Sequence, residues 1–364
     1  MQIYNQTRYV SEFTMGMDKT GREFLSLVVK GTFDFPGDAR QEPIPSQEQI
    51  PLVMADEFTG EPGYSATLWE TDFAFRKKAC DVVLNGCAYA PDGKTATAVR
   101  VGLKVGKWSK MFDVYGPREW RTMGPATMAT DPVPFYKQRF SYDNAFGGVD
   151  RLDPDDKLPG AYLPNPVGIG WATGKNHALL PGLTLPNTQA IGEDITTPYG
   201  DYTPMSFGPI SRAAPQRLKY AGTYDQNWID NVFPFLPADF DERYFQMAPK
   251  DQQIPLPVKG TEIGLANLTP AGREVFRLPE TGLPLTVFRK RDKVFDQVVR
   301  PDTLLFDPEA RKFSMVWRID IPIKRIITEF TEAWIGLPTD AMLRARAEGR
   351  GYIRAVAVSE SDDA

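Results

Sequence analysis

Apolar and polar residues alternate with a period of two at several places in this chain, most clearly in FLSLVVKGTFDF at residues 24–35. Leu25, Leu27, Val29, Phe33 and Phe35 fall on one side and Ser26, Lys30, Thr32 and Asp34 on the other, the pattern of a half-buried strand. ACDVVLNGCAYAPDGKTATAVRVGLKV predicts a hairpin turning at Pro91-Asp92-Gly93, with Val99, Val101, Leu103 and Val105 on one face of its second arm. Gly106-Lys107 then turns the chain into WSKMFDVYG, whose apolar set is Trp108, Phe112 and Val114, which completes a predicted three-stranded meander. A second hairpin is expected in TLLFDPEARKFSMVWRIDI, with its turn at Asp307-Pro308-Glu309. DVVLNGCAYAPDGK and DTLLFDPEARK resemble each other enough to suggest a pseudo-repeat, although hairpins converge easily. Near the C-terminus Thr339 is placed to cap a short helix ending at Gly349, expected to cover a sheet edge, and SESDDA is expected to fray.

Between these flanks neither period persists. Residues 140–253 carry short aromatic and glycine clusters separated by proline-rich connections. Their recurring Phe, Tyr and Trp supply apolar surface that a disordered segment lacks. Such a segment has few regular ladders, so it is expected to lie across a scaffold built by its flanks and to borrow hydrogen-bond partners from it. The expected fold class is therefore mainly β, with two antiparallel β-sheet units, each a sandwich or half-barrel, a long irregular Pro/Gly/aromatic-rich central region and a short C-terminal helix. The expected boundaries are 1–130 for an N-terminal β unit, 131–260 for the central region and 261–364 for a C-terminal β unit.

Composition agrees: 30 Gly and 32 Pro among 364 residues favour turns over long helices. Lys plus Arg number 42 and Asp plus Glu 47, for a net charge of −5, and the cations are not clustered as a nucleic-acid binder requires. The one locally basic run, Arg289 to Lys293, reads as a solvated turn. The N-terminal residues lack the pattern of a signal peptide and no apolar run is long enough to span a bilayer, which points to a cytoplasmic protein. Cys80 and Cys87 are expected to be reduced and structural.

The usual chemistries find little support. His177 is the single histidine, there is no G-x-S-x-G, and one His with two Cys cannot build an ordinary zinc site. NPVGIGWATGKN fails both the P-loop and the dinucleotide spacing, so no cofactor is expected. Asp239 and Asp241, on one face of an extended ADFDER, are the most plausible acid and base pair. The aromatics Tyr142, Phe146, Tyr224, Trp228, Phe233, Phe235, Phe240, Tyr244 and Phe245 suit either loop anchoring or a groove for another protein.

The succession DVVLNGCAYAPDGK, YDNAFGG, NPVGIG, FGPI, AGTYDQNW and FPFLPADFDERYFQMAPKDQQ resembles the DUF2169 family of bacterial proteins from about residue 20 to about residue 320. That resemblance implies a type VI secretion accessory protein, an adaptor or chaperone that helps load a toxic effector onto the VgrG or PAAR spike, with no catalytic residue. The positions matching its motifs are the expected partner-binding residues: Tyr142, Asp143, Asn144, Phe146, Gly147, Gly148, Asn165, Pro166, Gly168, Gly170, Tyr224, Asp225 and Trp228. The glycines among them equally suit turns at positive φ. Two other classes fit the sequence: a carbohydrate-active enzyme or lectin using the aromatics as platforms with Asp239 and Asp241, and a structural baseplate or spike component.

Overall fold

The strand Glu23–Asp34 is flanked by Val10–Met17 on one side and Lys312–Pro322 on the other, both antiparallel to it. The computed structural model describes residues 1–350 and 352 apart from 39, 125 and 176, so the SESDDA tail lies outside the described residues. Outward from Lys312–Pro322 the six-stranded sheet continues through Thr303–Asp307, Cys80–Leu84 and Gln253–Ile254. The two stretches that resemble each other in sequence are here neighbours, running parallel with Val82 opposite Leu304. A position covered on both faces asks for a continuous short apolar run, and both strands supply one.

A five-stranded sheet runs in the order Thr188–Gln189, Trp108–Tyr115, Ala98–Val105, Glu262–Ala266, Arg273–Arg277, and a four-stranded one in the order Gln2–Asn5, Phe330–Ile335, Leu283–Arg289, Asp292–Val299. All three sheets meet in one apolar core: Leu25, Leu27 and Val29 from the first, Val101, Leu103 and Phe112 from the second, Leu285, Val287 and Ala333 from the third. The protein is mainly β, its strands mostly antiparallel, and among the described residues no sheet closes into a barrel. Each of the three sheets joins strands from before residue 130 to strands from after residue 260.

The hairpins through Gly106-Lys107 and Asp307-Pro308-Glu309 form as the alternation predicts. The meander does not. Gly86–Tyr89 pairs with Lys137–Phe140 rather than with Ala98–Val105, because the turn at Pro91–Gly93 carries the chain from the six-stranded sheet side of the core to the five-stranded sheet. The C-terminal helix, Asp340–Ala347, starts at Thr339, whose hydroxyl accepts from Met342 N at 3.3 Å. It packs through Met342 on Phe288 and Trp334, so it covers a sheet face; the strand beneath it, Phe330–Ile335, is paired on both sides.

The strand at 23–34 is also not half-buried. Ser26, Lys30 and Thr32 are 0%, 2% and 0% exposed, because the second face of the six-stranded sheet is covered by residues 50–77 and 210–248. Val28, Val83, Leu305 and Val316 meet Met247 and Ala248 there. Around this apolar patch is a layer of buried charge. Lys30 Nζ sits 3.0 Å from Asp72 Oδ2 and donates to Pro51 O at 3.1 Å. Arg318 pairs with Asp302 and donates through Nε to Asp72 O at 2.6 Å. Lys77 Nζ lies 2.6 Å from Asp81, which also accepts from Gln246 Nε2 at 2.7 Å and Met247 N at 2.9 Å. Higher in the layer Glu70 takes Arg217 in a two-pronged pair and Arg212 at 3.0 Å. The covering segments are irregular, with helices of at most six residues, and they are held to the sheet by these side chains rather than by ladders.

Removing one partner from a buried pair leaves the other charge desolvated. Asp72→Ala should therefore lower unfolding free energy by about 3–5 kcal/mol, whereas Asp113→Ala, whose partner Arg100 is half exposed, should cost under about 1 kcal/mol. Urea denaturation of the two variants checks this. Burial pushes the Glu70 carboxyl up, but Arg217, with Arg212 and Lys77, overcomes that and holds it below its ordinary 4.5. Its contribution is thus complete above that value and is lost as pH falls through the lower folded one. The urea midpoint should decline as pH falls below about 4.5, and decline less in Glu70→Gln, which does not titrate there.

Candidate functional site

The YDNAFGG and NPVGIG motifs are brought together around one side chain. Asn165 is 4% exposed, and its Nδ2 donates to Tyr142 O at 2.9 Å and to Phe146 O at 3.1 Å. Phe146–Gly147 and Ile169–Gly170 form a short parallel bridge beside it. Gly147 and Gly148 have φ of +147° and +102°, and a Cβ there would stand 2.1 Å from Asn165 O and 2.3 Å from Gly168 O, so only glycine fits. Gly168 N donates to Asn165 O at 3.2 Å, and Gly170 O accepts the Trp120 indole N–H at 3.1 Å. Asp143 accepts from Ala66 N and Thr59 Oγ1, both at 2.6 Å, which ties the 57–69 excursion to this frame. Asn144 O accepts from Asn187 N at 2.7 Å, and Phe146 is buried against Trp120 and Tyr162. Apart from the Tyr142 hydroxyl, the polar side chains of this motif cluster are therefore engaged by the chain itself. Tyr142, Asn165 and Pro166 of the cluster line cavities.

The third motif is placed differently. Asp225 caps the helix Gln226–Asn231 by accepting from Trp228 N at 2.9 Å, and the Trp228 indole donates to Phe235 O at 2.9 Å, closing a loop at 224–235. Tyr224 and Phe233 stand edge-on to Trp228 with centroids 4.7 and 5.6 Å away. The outer surface of this loop is apolar: Tyr224, Ile229, Phe233 and Phe235 are 52%, 55%, 66% and 45% exposed. Leu236 leads from it into a cleft of about 330 Å³ floored by Phe24, Phe75, Phe240 and Phe245. Charge rims this cleft, with Arg76 paired to Glu242 at 3.2 Å and to Asp18 at 3.5 Å. Ile229, Phe24 and Phe75 were not singled out in the sequence, since an isolated Ile in a polar hexamer and Phe residues in alternating runs read as ordinary packing.

Asp239 and Asp241 each serve a local partner. Asp239 accepts from Thr223 N at 3.0 Å and Thr223 Oγ1 at 2.8 Å, and these bonds hold its carboxyl below the ordinary range. Asp241 accepts from Arg243 Nε at 3.0 Å and from Arg243 N at 2.9 Å, and the Arg243 side chain brings it down to about 2. Both are ionised at neutral pH, so neither holds a proton to donate. His177 Nδ1 lies 2.7 Å from the Tyr199 hydroxyl, and Cys80 and Cys87 are buried free thiols pushed up mainly by burial. Among the described residues no three His, Cys, Asp or Glu converge as a metal site would require, and no helix is long and apolar enough to cross a membrane.

Asn165→Ala would leave Phe146 O without its donor and Tyr142 O with only the Ala145 N–H at 3.3 Å, at about 1–3 kcal/mol for an unpaired buried carbonyl. Its melting transition should drop by several degrees or more, while Asp225→Ala, which loses one exposed cap, should cost only about 1 kcal/mol; thermal unfolding followed by circular dichroism distinguishes them.

No curated protein and no solved structure matches the chain. A family model described as an uncharacterized protein conserved in bacteria, DUF2169, matches residues 20–318, a span that holds the Asn165 frame, the aromatic loop and most of the six-stranded sheet. The chain belongs to the DUF2169 family.

Proposed function

We propose that this protein is a non-enzymatic adaptor or chaperone of the type VI secretion system, acting in the bacterial cytoplasm to hold a toxic effector and assist its loading onto the VgrG or PAAR spike. Support comes from membership of the DUF2169 family, a resemblance that implies such a role, and from one observation above all. Four apolar side chains, Tyr224, Ile229, Phe233 and Phe235, are exposed within twelve residues and lead through Leu236 into an aromatic cleft. Exposed apolar surface of this kind normally marks an interaction site.

The mechanism follows from the chemistry of that surface. An apolar segment of the effector lies over the loop and inserts a side chain between Phe75 and Phe240, while the charged rim of Arg76, Glu242 and Asp18 fixes its direction. Aromatic anchors bury much area with few rotatable bonds, so the contact gains affinity at small entropic cost. Covering the segment keeps it from aggregating until the spike takes it over.

Tagged protein recovered from the native host should bring with it a toxin together with VgrG or PAAR, identified by mass. Phe233→Asp and Ile229→Asp should weaken that capture at least about tenfold, or about 1.4 kcal/mol, with an unchanged melting temperature because both side chains are exposed. Recovery of the protein alone, or capture indifferent to both changes, refutes the reading.

A further inference from the structure

A second cavity, of about 370 Å³, lies between the Asn165 frame and the segments 203–220 and 243–253. Its volume is within the ~300–1,000 Å³ range of small-ligand sites. The ring of Tyr142 lines it and is 8% exposed, yet among the described residues the Tyr142 hydroxyl has no hydrogen-bond partner. Its ring is held in the Asn165 frame while its hydroxyl is not among the atoms sealed from solvent, so the O–H is accessible from the cavity. That hydroxyl is available as a donor to an acceptor that enters the cavity.

The charge of the wall says which acceptor. Lys110, Arg217, Lys219, Arg243 and Lys250 line the cavity against a single carboxylate, Asp251. Glu70 and Asp241 neutralise the two arginines from outside the lining. Lys110 Nζ is buried at the wall, 2.9 Å from Asp251 Oδ2 and 2.6 Å from Gln252 Oε1, which leaves one of its three N–H donors free. Lys219 and Lys250 are exposed and, among the described residues, have no carboxylate within ion-pair distance. Pro164, Met205 and Ile210 supply an apolar wall.

We propose that this cavity binds a carboxylate carried on a small apolar body, with the Tyr142 hydroxyl and the Lys110 ammonium donating to the carboxylate and Met205, Ile210 and Pro164 receiving the apolar part. Lys219 and Lys250 attract the anion at the rim. The same chemistry is presented by the free C-terminus of a polypeptide ending in an apolar residue and by a short-chain carboxylic acid. The site is separate from the aromatic loop and does not depend on the adaptor reading.

Calorimetric titration of the full chain with acetyl-Ala-Leu, its C-terminal amide and hexanoate tests the site. One or both acids should bind, and the amide at least about tenfold more weakly than its acid. Preference for the peptide acid assigns a chain terminus as ligand, and preference for hexanoate a free acid. Tyr142→Phe removes only an unpartnered oxygen, so it should fold as the wild type while weakening the acid about fivefold or more. The exposed pair Lys219→Gln and Lys250→Gln should weaken it too, more at low salt than at high. Equal affinity for acid and amide, no binding by either acid up to about 10 mM, or an unchanged affinity in a folded Tyr142→Phe protein overturns the proposal.

Discussion

The buried charge on the second face of the six-stranded sheet is the constraint on which the rest of this structure depends. Lys30, Asp81 and Arg318 project from strands of this sheet away from the apolar core; Asp72 and Lys77 of the covering loop pair with Lys30 and Asp81, and Asp302 at the head of the adjacent strand pairs with Arg318. Desolvating an ion costs several kcal/mol unless a partner and further hydrogen bonds replace its water. Asp72 does this for Lys30 and lends its own carbonyl to Arg318, so residues 50–77 must dock in one register. Gln246 and Met247 do it for Asp81 and thereby fix the opposite end of the cover. An apolar sheet face would have accepted many placements of an irregular segment; this one accepts a single arrangement because each charge has a specific partner.

The same layer accounts for what was and was not legible in the sequence. The alternation at 24–35 locates the strand and its core face correctly, since Leu25, Leu27 and Val29 enter the main core. Lys30 and Arg318 look like solvent-facing residues, and nothing local distinguishes a charge that meets water from one that meets Asp72 some forty residues away. The partner of a strand is likewise not written next to it. Pro91-Asp92-Gly93 is a sound turn signal and a turn forms there, but its consequence depends on which sheet the following strand joins, and that is decided by Glu262–Ala266 far along the chain.

For the site, motif strength and exposure separate. Asn165, Gly147 and Gly148 are conspicuous in the sequence because the backbone geometry around them admits few alternatives, and that geometry is inward. Phe233 and Phe146 are the same residue type in similarly irregular surroundings, yet one is two-thirds exposed and the other fully buried. Composition identifies the region as aromatic. Only the fold sorts its rings into frame and surface.

That sorting bears on how an irregular loop can present a defined surface. A loop that samples many conformations must be ordered when it binds, at a cost that cancels much of the gain from burying apolar area. The loop at 224–235 is closed internally by the Trp228 indole on Phe235 O and pinned at its base by Asp239, which accepts both the amide and the hydroxyl of Thr223. Asp239 is kept ionised by those very bonds, so the clasp persists across the physiological range. The carboxylate that the sequence offers as half of a catalytic pair is thus the fastening that holds the aromatic surface in a fixed shape, and the rigidity it confers is what makes an exposed apolar loop a specific surface rather than merely a sticky one.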